Sequence, residues 1–128
     1  MPAKRLFMRP DERDAAYLWD MLEACRTVKK FTIALSLADY LADRKLQLAI
    51  ERGIEIIGEA AHRVSDPFRQ AHPEIPWHSI TAQRNVLAHE YGEIKQERIW
   101  KVATINVPEL ISRLEPLIPT LPAEKKDR

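Results

Sequence analysis

Residues 84 to 93 read RNVLAHEYGE, a run that places Arg84, Asn85, His89 and Tyr91 close together. Histidine exchanges a proton near neutral pH, and arginine grips a phosphate through two parallel hydrogen bonds. Together they suit proton transfer and charge stabilisation at a phosphodiester without a metal ion. The asparagine offers an amide that can orient the arginine or the phosphate. The tyrosine adds a phenol open to modification.

The spacing constrains how these groups can cooperate. At about 100° per residue, His89 stands roughly 140° around a helix from Arg84, so the two side chains splay apart. Tyr91, seven positions after Arg84, returns to nearly the same face if the helix persists that far. One copy of such a helix makes a poor active site, whereas a twofold axis would bring two copies into one cleft. Each residue also has an ordinary use: Arg84 could pair with Glu90 or Glu93, and His89 could cap the helix C-terminus. Tyr91 could be a half-buried bundle residue, and Asn85 could bond only locally.

The elements that must hold this run are helical. The chain has three glycines, and its apolar residues recur at spacings of three and four. Leu18, Met21, Leu22, Cys25, Val28 and Thr32 mark one face of a helix over about 11 to 34, with Asp11 as its cap. Ser36 caps a short turn through Asp39 to Leu41, and Asp43 caps a long helix to about Val64. That helix carries a stripe of Leu46, Ala49, Ile50, Gly53, Ile54, Ile57, Ala61 and Val64, while Glu51, Glu55 and Glu59 fall on another face. Gly53 and Gly58 each cost it about 1 kcal/mol relative to alanine, which points to close approach by a neighbouring helix.

The proline-rich segment SDPFRQAHPEIPWHS predicts a short helix after Pro67, with Trp77 anchoring entry to the motif helix. The motif helix should run from His78 or Ser79 to Tyr91 and close at Gly92, with Ile80, Leu87 and Ala88 supplying its apolar contacts. A last stretch begins near Gln96 and presents Ile99, Ala103, Val107, Leu110, Leu114 and Leu117 on one side. Pro108 either kinks it or starts a new helix capped by Asn106. The tail TLPAEKKDR should be frayed. No repeat or linker divides the chain, so residues 1–128 form one domain with its core in about 11–118, an all-α antiparallel bundle of four principal helices plus short ones.

Composition narrows the function. Twenty basic and 19 acidic residues leave a net charge of +1, so nucleic acid must be held by a local patch. Lys95, Arg98 and Lys101 follow the motif and could supply one, or could be a solvated face. The single cysteine, Cys25, falls on an apolar stripe and reads as a small buried hydrophobe of a reducing compartment. No apolar run is long enough for a signal peptide or a membrane span, which predicts a cytoplasmic protein. HEYGE lacks the second histidine of a zinc H-E-x-x-H motif, and His62, His72 and His78 have no ligand spacing. There is no phosphate-binding glycine loop and no dinucleotide fingerprint, so neither a metal nor a cofactor is expected.

Taken with its context, the run resembles the R-x4-H-x-Y motif of HepT-like toxins in the HEPN superfamily. The segments ADRKLQLAIERGIEIIGEA, PEIPWHSITAQRNVLAHEYGEI and ERIWKVATINVPEL are similar to HepT-like sequence in the same order, covering about residues 11 to 118. The resemblance implies a homodimeric HEPN fold with both motif helices lining a shared cleft where RNA is cut without a metal. It places catalysis on Arg84 and His89, with Asn85 orienting the arginine or the phosphate. It further implies a partner, a nucleotidyltransferase antitoxin of the MntA type, that silences the toxin by adenylylating Tyr91. A HEPN dimer that binds nucleotide or a partner without cleaving is the competing expectation.

Overall fold

The structure is a computed structural model that describes residues 11–89 and 95–118, apart from the side chains of Val86, Ala88 and His89. Among the described residues every regular element is helical. Helix α1, Glu12–Thr32, is opened by Asp11, whose carboxylate accepts from the Asp14 backbone N–H at 2.7 Å. Its six predicted stripe residues, Leu18 to Thr32, are all buried. The helix stops two residues short of the expected end because residues 32–35 form a tight turn. Leu35 N–H reaches the Thr32 carbonyl at 3.1 Å, and Ala34 takes a φ of 63°, a left-handed conformation that ends a helix.

Helix α2, Leu37–Leu41, carries a reciprocal capping box between Ser36 and Asp39, which buries Tyr40 beneath it. Helix α3, Arg44–Arg63, starts where Asp43 accepts from Leu46 N–H at 3.0 Å. Helix α4, Asp66–Ala71, begins just before Pro67 rather than after it, since a proline in the first turn gives up no needed N–H. Buried Asp14 accepts from the Ser65 N–H at 2.8 Å and hydroxyl at 2.6 Å, tying the start of α1 to the junction of α3 and α4.

Trp77 opens α5, Trp77–His89, one residue earlier than predicted. It anchors that entry as expected: its indole N–H donates to the His72 carbonyl at 2.9 Å, and its ring meets Phe68 edge-on. The last stretch is continuous. Helix α6, Gln96–Lys101, passes through one widened π turn, Val102–Asn106, into α7, Val107–Leu114, and ends in a tight turn, Glu115–Leu117. Of the two readings at Pro108, the new helix capped by Asn106 fails, for the Asn106 side chain makes no capping hydrogen bond. Proline has no N–H to give, and the wider turn makes room for its ring. The predicted stripe from Ile99 to Leu117 is buried throughout.

α3 packs along α1 on one side and α5 on the other, and α7 closes against α1. The core runs between them through Leu18, Met21, Ile50, Ile57, Phe68, Ile99 and Leu114. Among the described residues no helix is long and apolar enough to cross a membrane. The predicted frayed tail lies outside the described residues.

Candidate functional site

Among the described side chains of α5, Leu87 is buried, and Trp77 and Ile80 are partly buried. Shape also seats it. Gly58 of α3 faces Arg84, and a Cβ built there would overlap the Arg84 Cβ, lie 3.0 Å from its Cγ and 3.3 Å from the Ile80 carbonyl oxygen. The close approach expected of the glycines is therefore real, and at Gly58 its partner is the motif arginine. Gly53 plays the same part toward α1, where a Cβ would overlap the Cγ2 of Val28.

From that seat Arg84 is half-buried, and its Nη1 donates to Asn85 Oδ1 at 3.2 Å. Some other arginines of the bundle have carboxylate partners, while Arg13, Arg63 and Arg98 form no ion pair among the described residues. Arg52 meets Glu55 at 2.7 Å and Glu59 at 3.5 Å, and Arg26 meets Glu115 at 3.0 Å. Among the described residues Arg84 forms no ion pair, while Glu90 and Glu93, its possible partners by sequence, lie outside them. The site thus presents a guanidinium with its stem packed, one amide contact, and donor capacity left for an anion.

His89 is the last residue of α5, five positions on from Arg84 along one helix. That step corresponds to a rise of about 7.5 Å and a turn of about 140°. The orientation of its side chain, Tyr91, and the closing Gly92 lie outside the described residues. The structure therefore brings Arg84 and Asn85 into contact and puts His89 on the same helix.

The start of α6 is firmly held by contacts that the sequence did not disclose. Gln96 at the start of α6 accepts from the Tyr40 hydroxyl at 2.5 Å and donates to Glu51 at 2.7 Å. Glu51 is also 3.5 Å from Arg44, and the Gln47 amide donates to the carbonyls of Tyr40 and Leu41, both at 3.2 Å. Burial, with the Glu51 carboxylate adding to it, pushes the Tyr40 phenol well above its usual range, so it remains a donor. Helical spacing exposes only neighbours three or four positions apart, and a link from residue 40 to residue 96 carries no such signal. Around Gln96, Lys95, Arg98 and Lys101 are exposed and form no ion pair among the described residues.

The remaining candidates are structural. Burial pushes the Cys25 thiol up to about 12, which keeps it protonated and unreactive. Buried His72 contacts Glu74 at 2.9 Å, and His62 and His78 are exposed. Among the described residues no three of His, Cys, Asp and Glu cluster as they would around a metal ion. A cleft of about 170 Å³ between α3, α5 and α7 is walled by Ile54, Ile57, Ile80, Val107 and Leu110, with Gln83 and Asn106 beside them.

An all-helical bundle whose third long helix ends on the R-x4-H pattern has the HEPN architecture. The chain belongs to the HepT-like ribonuclease family: the family model described as ribonuclease HepT-like matches residues 21–117. A protein of Thermococcus cleftensis described as "probable ribonuclease HepT" is 37% identical over 101 residues, 79% of this chain and 92% of that protein. One of Methanocaldococcus jannaschii described as "putative RNase" is 31% identical over 118 residues, 92% of this chain and 98% of that one. No solved structure matches the chain.

Proposed function

We propose that this protein is a metal-independent endoribonuclease toxin that works as a homodimer, with the two motif helices facing one RNA cleft. The observation that carries this reading is Arg84, a half-buried arginine without an ion-pair partner among the described residues, five positions before His89 in a chain of the HepT-like family. An RNA phosphate is the anion that suits it.

In the proposed reaction a ribose 2′-oxygen bonds to the adjacent phosphorus and the bond from phosphorus to the 5′-oxygen breaks. One His89 takes the proton from the 2′-hydroxyl, and the partner's His89 gives a proton to the departing 5′-oxygen. Arg84 holds the charge that grows on the phosphorane oxygens, with Asn85 steadying the guanidinium. The products are a 2′,3′-cyclic phosphate and a 5′-hydroxyl. A second copy is required because the histidine and arginine of one helix diverge by about 140°.

Silencing would come from a nucleotidyltransferase antitoxin that joins the Tyr91 oxygen to the α-phosphorus of ATP, with pyrophosphate leaving. The added phosphate would neutralise Arg84 and fill the RNA site. Cleavage of single-stranded RNA in excess EDTA tests the catalytic reading: wild type should leave cyclic-phosphate ends, His89→Ala should leave none, and an all-deoxy substrate should stay whole. Activity lost in EDTA and restored by a divalent ion would overturn it. For the silencing arm, intact mass after incubation with the nucleotidyltransferase and ATP should rise in wild type and stay constant in Tyr91→Phe.

A further inference from the structure

Two glycines of α3 permit close approach, yet they face different helices and different kinds of atom. At Gly53 the atom in the way of a Cβ is Val28 Cγ2, the end of a side chain on α1. Val28 is buried and β-branched, with a stiff side chain on a helix, so a methyl there strains the contact between α3 and α1 and leaves α5 where it is. At Gly58 the atoms in the way are the Arg84 Cβ and Cγ and the Ile80 carbonyl oxygen. A Cβ and a backbone carbonyl cannot rotate aside, so a methyl at Gly58 can be accommodated only by moving α5 itself.

We propose that Gly58 is a positioning residue for the motif arginine: the absence of its side chain sets how deeply α5 seats on α3 and hence where the Arg84 guanidinium stands. The proposal rests on the ribonuclease reading for its kinetic consequence but not for its geometric one. Among the described side chains of α5, Leu87 is buried and Ile80 and Trp77 are partly so. Arg84 is pinned at two points, its stem against Gly58 and its tip by Asn85 Oδ1 at 3.2 Å. Displacing the first point carries the charged end with it. A misplacement of about 1 Å at a catalytic group can lower a rate by about 100-fold.

The experiment compares Gly58→Ala with Gly53→Ala in the full-length protein, reading thermal midpoint, RNA cleavage constants and crystal structures. Below both midpoints, Gly58→Ala should lower kcat by 10-fold or more, while Gly53→Ala stays within 2-fold of wild type. The crystal structure of Gly58→Ala should show α5 displaced from α3 by about 1 Å, with α1 in place. Equal kcat losses in the two variants, or an unmoved α5, would overturn the proposal. If wild type cleaves no RNA, the functional reading fails by itself and the position of α5 still decides the geometric claim. If Gly58→Ala does not fold, Gly58→Ala combined with Arg84→Gly removes the Cβ that the new methyl strikes. Recovery of a cooperative melting transition supports the contact as drawn, and its absence places the clash elsewhere and overturns it.

Discussion

The two faces of α3 solve the same packing problem with different materials. Toward α1 it packs beside a helix whose Leu18, Met21, Leu22, Cys25 and Val28 are all buried in the shared apolar core. Toward α5 it meets a helix with one buried side chain among those described, Leu87, and gains proximity through Gly58. The first face stabilises the fold, since burying a large aliphatic side chain contributes about 1.5 to 3 kcal/mol. The second holds a charged side chain near the surface. An arginine cannot be buried without a partner, so the helix that carries it must be located by shape more than by hydrophobic area.

Exchanging the damage between the two faces should separate them. Arg84→Ala should lower cleavage by about 100-fold to 1,000-fold, the usual cost of removing one group that stabilises transition-state charge. Its thermal midpoint should hardly move, because a methyl replaces a side chain without an ion-pair partner among the described residues. Leu18→Ala, at 0% exposure, should cost about 2 to 5 kcal/mol in denaturant unfolding. Its kcat per folded molecule should be that of wild type. A stability loss at Arg84 as large as at Leu18 would erase the distinction between the faces.

The next effect belongs to the end of the α1 face. Asp14→Ala leaves the Ser65 N–H and hydroxyl without their buried acceptor, which should cost about 1 to 3 kcal/mol in the same unfolding measurement. Cleavage by the folded fraction should again be intact. The smallest change is expected beyond the motif, where replacing Lys95, Arg98 and Lys101 with glutamine tests whether the exposed cations reach RNA. If each meets one phosphate, the slope of log affinity against log salt should fall by about 2 for a single strand. An unchanged slope would make them a solvated face.

Reading the chain in order foretold much of this molecule and missed the contacts between distant parts of it. The stripes on α1 and on the α6 to α7 stretch were legible because apolar spacing reports directly on the buried face of a helix. The caps at Asp11, Ser36 and Asp43 were legible because each lies three residues from the N–H it accepts. The helix ends were less so. The left-handed Ala34 has none of the usual glycine or asparagine signal, and α1 was read as two residues longer than it is. At Pro108 the sequence offered a kink or a new helix capped by Asn106, and the chain passes through one widened turn without that cap.

The candidate site divides along the same line. That Arg84, Asn85 and His89 share one helix, and that Arg84 and His89 diverge around it, follows from sequence alone because helical geometry converts spacing into angle. Sequence also indicated that Gly53 and Gly58 mark close approaches, since an uncompensated glycine in a helix is costly. Which helix approaches which glycine was decided only by the fold: Val28 precedes Gly53 by 25 positions and Arg84 follows Gly58 by 26, and nothing in the intervening residues encodes those meetings. The same holds for Tyr40, Gln96 and Glu51, whose hydrogen bonds span 56 and 45 positions. Local spacing determines which side chains a helix turns to the same side. Packing of whole helices determines what those side chains meet, and for Arg84 that is Gly58.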